Sequence, residues 1–205
     1  MAPWADRRAR RLGVRDRRGV CVGQQGQDLA PEPVLDHGTV RLRRWQATDL
    51  PCVQAASDEG VIPQSTTVPH PFTEHAGRQW IEQQHLRRTT GQGWSLAVTE
   101  LPHGPAVGCT VLLLRPQKGV AGLGFWLVPD ARGRGVASRA VALLSEWGLD
   151  ELGLARVEAW VEPDNVASVG VLSRCGFDLE GRLRSFLSFP TGRSDALVLS
   201  RVAES

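Results

Sequence analysis

Tyrosine is absent from the 205 residues, methionine occurs once, and positive charge is almost wholly arginine, Lys118 being the single lysine. The first absence removes the phenol from the candidate acids of any reaction. No apolar run approaches the roughly 20 residues that cross a bilayer, which excludes a membrane-spanning helix. The N-terminus is arginine-rich without an apolar core segment, so it does not read as a secretory signal, and a cytoplasmic protein is expected. Cysteine is sparse. Cys21, Cys52, Cys109 and Cys175 are scattered, with no Cys-x-x-Cys pair and no histidine at zinc spacing. They read as reduced, mostly buried small hydrophobes, without the local signature of a catalytic thiol.

What remains is an ordinary globular composition, 41% hydrophobic and 22% charged, with 24 basic against 22 acidic residues. That length buries a real core and suits one domain with an appendage. The near-neutral balance is uneven: Arg7, Arg8, Arg10, Arg11, Arg15, Arg17 and Arg18 face only Asp6, Asp16 and Asp28 within residues 1–30. Apolar periodicity is missing there, so residues 1–38 read as a disordered leader and 39–205 as the folded domain. The competing reading, an arm that touches nucleic acid, predicts salt-sensitive binding lost on deleting residues 1–30.

From about residue 39 the pattern is globular. Val40, Leu42 and Trp45 suggest an edge strand, Thr48 to Pro51 a helix start, and Thr73 a cap for a helix to about Arg88. Strand-like runs at 94–99, 107–114 and 123–128, separated by proline and glycine turns, predict an antiparallel meander. A helix follows Gly135, then a strand at 156–161. Asn165 caps a helix ending at Cys175-Gly176, and a hairpin over 177–202 closes the pattern. The order predicts an α/β (α+β) domain around a mixed, mostly antiparallel twisted sheet of about seven strands, with helices on both faces.

The informative segment runs from Leu127 through Arg132-Gly133-Arg134-Gly135-Val136-Ala137-Ser138. A strand enters a glycine-rich turn that opens directly into a helix, which aims successive N–H groups and the helix dipole at one point. Gly133 and Gly135 leave room for an anion, and Arg132 and Arg134 can neutralise it. A pyrophosphate fits. The spacing is neither the dinucleotide fingerprint nor a P-loop. Arg132-x-x-Gly135-x-Ala137 matches the pyrophosphate motif of the GNAT superfamily of acyl-CoA-dependent N-acyltransferases. Gly124-Phe125-Trp126-Leu127, Asn165-x-x-Ser168-x-x-Val171-Leu172-x-x-Cys175-Gly176-Phe177, Glu180-Gly181 and Asp195-Ala196-x-Val198-x-Ser200 resemble its RimJ/RimL-type branch, the ribosomal-protein N-terminal acetyltransferases and their relatives. Together they cover roughly residues 39–205.

The resemblance implies a sheet splayed between its fourth and fifth strands, here about 123–128 and 156–161, with the coenzyme between them. Leu127 and Val128 would pair with the pantetheine arm as a strand edge does. Arg132, Gly133, Arg134, Gly135, Val136, Ala137 and Ser138 would hold the pyrophosphate, with Asn165 and Ser168 also touching the coenzyme. The implied reaction is direct attack of a neutral amine on the thioester of acetyl-CoA, in a ternary complex and without a metal. The Val128 N–H is the oxyanion candidate. Many family members use a tyrosine acid; here Ser168 is the candidate, its competing role being a hydroxyl that serves backbone after the Asn165 cap.

For the base, Glu158, Glu162, Glu180 and Glu74 are available. At pH 7 an α-amine is about 15% neutral and a lysine about 0.04%, a gap of about 3.5 kcal/mol, so a site without an obvious base suits a protein N-terminus. Acceptor contacts are expected from 58–80, with His70 and Glu74 as substrate-binding candidates, and from the hairpin at 187–194. His70 also reads as a plain loop histidine, and no third ligand joins it and His75 for a metal. A coenzyme A thioester and an amine are the expected partners; a homodimer stays open. Two alternatives are transfer of succinyl or another acyl group, with Arg182 or Arg184 holding a free carboxylate, and a non-catalytic acyl-CoA sensor.

Overall fold

The computed structural model describes residues 29–102 and 104–204; the arginine-rich stretch, Cys21 and His103 lie outside the described residues. Eight strands form one sheet in the order β1-β2-β3-β4-β5-β6-β8-β7. They are β1 (Leu35–His37), β2 (Val40–Arg43), β3 (Gly93–Glu100), β4 (Ala106–Leu114), β5 (Val120–Leu127), β6 (Arg156–Val161), β7 (Asp178–Phe189) and β8 (Gly192–Val202). Every neighbouring pair is antiparallel except β5 and β6. The eighth strand, β1, falls inside the stretch read as a leader. It pairs with β2 across the tight turn at Gly38, and the indole of Trp94 donates to the Ala30 carbonyl at 2.9 Å. The domain therefore starts earlier than apolar periodicity suggested, because a three-residue strand is too short to show a period.

The helices are α1 (Leu50–Asp58), α2 (Ile62–Ser65), α3 (Glu74–Thr89), α4 (Val136–Glu146) and α5 (Val166–Arg174). Thr73 Oγ1 accepts the Ala76 N–H and starts α3, while Gly176, with φ near +78°, lets the chain leave α5. On one face α4 and α5 pack Val136, Ala140, Val141, Leu144 and Leu172 onto the sheet. On the other face α1 and α3 close over Trp45, Trp80 and Ile81, where Trp45, Trp80 and Trp126 gather with ring centroids 5.0–6.3 Å apart. No helix among the described residues is long and apolar enough to cross a membrane.

Candidate active site

The turn after β5 has the glycine geometry that the sequence suggests. Gly133 and Gly135 both have φ near +75°, a conformation that favours glycine. A Cβ on Gly133 would meet nothing within 4 Å, while one on Gly135 would stand 2.9 Å from Arg139 Nη1. Gly135 opens α4 without a side-chain cap, and the amides of Gly135, Val136, Ala137 and Ser138 find no acceptor among the described residues. Four orphan N–H groups and the positive end of α4 thus converge on open space.

The arginines divide differently from expectation. Arg132 does not face the cradle: its Nε donates to the Leu127 carbonyl at 3.0 Å, and its Nη2 pairs with Glu59 at 2.7 Å. Burial works against charge on Glu59, yet hydrogen bonds from Arg132 and the Ile62 N–H keep its carboxyl below the usual range. Arg132 therefore ties β5 to the end of α1. Arg134 lies half-exposed, 3.1 Å from Glu100. Two arginines missed from the sequence come nearer: Arg139 donates to the Arg134 carbonyl at 3.1 Å, and Arg174 Nε reaches Ser138 Oγ at 3.5 Å. Arg139 lies one helical turn beyond Gly135 and was legible by spacing; Arg174 arrives from α5 and was not.

Beside the turn the sheet opens. β5 and β6 pair only from Val120–Arg156 to Gly122–Glu158, and beyond that point the strands have no mutual ladder. The register with β4 decides which groups face the opening. Arg115 N–H donates to the Val120 carbonyl and Val128 N–H to the Val107 carbonyl, at 2.9 and 3.0 Å, so even-numbered β5 residues bond to β4. Odd-numbered ones turn their backbone towards β6. This corrects the oxyanion candidate: the Val128 amide is already spent within the sheet. Phe125 and Leu127 present their N–H groups to the gap instead, while the Leu127 carbonyl is held by Arg132. Phe125 was missed because parity is set by the partner strand, not by local sequence.

A cavity of about 350 Å³ extends from this gap. Its floor is sheet surface at Cys109, Val111, Gly124 and Trp126, hollow because Gly124 has no side chain; a Cβ there would sit 3.1 Å from Val111 Cγ1. Ser65–Thr67 and Trp80, Gln84 and Arg87 of α3 cover it, with Trp160, Glu162, Asn165 and Ser168 on one wall and Leu187 and Phe189 on another. Trp160 forms part of that wall; Arg115 lies 3.8 Å over its ring and Phe186 meets it edge-on. Asn165 Oδ1 caps α5 by accepting the Ser168 N–H at 3.1 Å, whereas the half-buried Ser168 hydroxyl has no partner among the described residues. Burial pushes the Cys109 thiol up to about 11, which disfavours its thiolate form.

Neither acceptor-contact candidate lines this cavity. His70 is exposed, its Nδ1 3.1 Å from the Ser57 carbonyl, so it fastens its loop to α1; Glu74 pairs with Arg78 one turn along α3 at 2.6 Å. The four candidate bases separate on the same test. Glu158 pairs with Arg115 and Arg156 at 3.3 and 3.2 Å. Glu180 takes Arg156 Nη1 at 2.7 Å and the Ser200 hydroxyl at 2.6 Å, which hold its carboxyl down at about 2. Glu162 alone among them lines the cavity, half-buried and with no partner for its carboxylate among the described residues.

A family model, the acetyltransferase (GNAT) domain, matches residues 39–178. The chain belongs to the GNAT acetyltransferase family. The uncharacterized N-acetyltransferase p20 of Bacillus licheniformis is 30% identical over 149 residues, 72% of this chain and 83% of the relative. Among solved GNAT structures, RimL, a ribosomal L7/L12 alpha-N-protein acetyltransferase in complex with coenzyme A, superposes with a TM-score of 0.73. It is 19% identical, over 83% of this chain and 98% of its own. Mycobacterium smegmatis RimJ in complex with CoA-disulfide gives 0.69 at 22% identity, over 84% and 87%. At these identities the solved structures establish the GNAT fold.

Proposed function

We propose that this GNAT acetyltransferase transfers acetyl from acetyl-CoA to a primary amine, an α-amine in preference to a lysine, by direct attack within the 350 Å³ cavity. The observation that carries the reading is Glu162: a carboxylate without a protein partner, on the wall of the cavity that also holds the free Ser168 hydroxyl. The coenzyme side is supported by the cradle. The amides of Gly135 to Ser138 would hold the pyrophosphate, with Arg139 and Arg174 alongside, and the Phe125 and Leu127 edge would receive the pantetheine amides. Acetyl-CoA supplies the thioester carbonyl and a thiolate leaving group.

The chain's own residues do the rest. Glu162 accepts the proton of the incoming ammonium, a role worth about 100-fold when well placed. Ser168 donates to the departing sulfur in place of the absent tyrosine. The amides facing the gap from β5 replace Val128 as oxyanion donors. An α-amine asks less of Glu162 than a lysine, by the same gap of about 3.5 kcal/mol. The test is one peptide carrying an internal lysine, offered with its N-terminus free or blocked, with products located by mass spectrometry. Acetylation of the free N-terminus at least about tenfold faster than of lysine is expected; equal rates, or modification of lysine alone, would overturn the α-amine reading.

A further inference from the structure

Only two residues lining the cavity carry formal charge, Glu162 and Arg87. Glu162 has a part in the reaction; Arg87 has none so far. It lies in the last turn of α3, half-buried. Its Nε donates to Gln84 Oε1 at 3.1 Å, and no acidic residue lies within ion-pair reach among the described residues. Gln84 is itself buried and fastened to the Trp80 carbonyl at 3.0 Å, so the guanidinium is held at one edge and its two terminal amines stay unengaged. Its positive field reaches the cavity floor, where it opposes the burial that raises the Cys109 thiol. Leaving a half-buried guanidinium without a counter-charge is unfavourable, and a fixed fork with two free donors matches a carboxylate.

We infer that Arg87 is a specificity residue, and that the acceptor is an amine whose own molecule bears a carboxylate, bound to Arg87 while its amine meets Glu162. This rests on the acetyltransfer reading above and narrows its acceptor. Two sources share that chemistry, a peptide with an acidic residue next to its free N-terminus and a free amino acid.

The experiment measures kcat/KM with saturating acetyl-CoA on two lysine-free peptides. One carries aspartate and glutamate at its first two positions, the other asparagine and glutamine, both amidated at the C-terminus; alanine and alaninamide, with rates expressed per neutral amine, form the second arm. The wild-type protein should prefer the carboxylate-bearing member of at least one arm by about tenfold or more, as a charge-assisted pair demands. Arg87→Gln should bring that ratio to about one with the KM for acetyl-CoA unchanged, and Arg87→Lys should fall between. No preference for the carboxylate in either arm, or the same preference in Arg87→Gln, overturns the proposal. Turnover of neither arm while calorimetry still shows acetyl-CoA binding overturns it as well but leaves the acetyltransferase reading; absent binding removes both.

Discussion

The two ends of the β5–β6 seam make an instructive pair. At the closed end charge is saturated: Arg115 meets Glu158, Arg156 meets both Glu158 and Glu180, and Ser200 completes the set. At the open end the Glu162 carboxylate, just past β6, the Ser168 hydroxyl of α5 and the outer edge of Arg87 of α3 have no partner among the described residues. The closed end pairs each of its charges with an opposite one, although Arg115 Nε makes no hydrogen bond there. In the proposed mechanism, lack of a partner, more than residue type, singles out the residues given chemical roles. It is also what separates Glu162 from the three other glutamates that looked equivalent in the sequence.

That contrast can be broken most forcefully at its centre. Glu162→Gln should lower kcat about 100-fold while leaving thermal stability within about 0.5 kcal/mol, since no protein contact is lost. Equal damage from Glu158→Gln would dissolve the distinction. Next in size, Gly135→Ala places a Cβ at φ near +75° against Arg139, and should raise the KM for acetyl-CoA about tenfold with kcat held. Ser168→Ala should cost a few-fold to tenfold in kcat, less than Glu162, because a thiol of pKa about 8.5 leaves tolerably unaided.

The smallest effect belongs to the closed end. Glu180 is held at about 2, below its ordinary 4.5, by hydrogen bonds from Arg156 and Ser200. Its contribution is thus complete above pH 4.5 and is lost as pH falls towards 2. The carboxylate is largely exposed and solvent-screened, so Glu180→Gln should cost under about 1 kcal/mol at neutral pH in urea denaturation and flatten the acid limb of stability, leaving kcat unaffected.

How much of this was readable beforehand depended on distance along the chain. The glycine turn was legible because strand, turn and helix are contiguous and the φ demands of Gly133 and Gly135 are local. The Asn165 cap was legible for the same reason. The roles of Arg132 and Arg134 were not, since their carboxylate partners, Glu59 and Glu100, come from distant segments. The direction of the Val128 N–H, the oxyanion candidate, was not legible either, because parity is fixed by the register with β4. His70 and Glu74 belong to the 58–80 stretch expected to touch the acceptor; only the folded loop reveals that Ser65–Thr67 line the cavity while His70 turns back to α1.

The opening between β5 and β6 has a consequence for how the molecule keeps clear of its own kind. Unzipped backbone at the rim of a sheet invites other chains to dock and aggregate. Here the exposed amides lie between two walls whose separation is pinned at the base, where Gly119 accepts from both Ala155 and Arg156. The unpaired stretch is therefore an internal seam flanked by strand on both sides and not a free rim of the sheet.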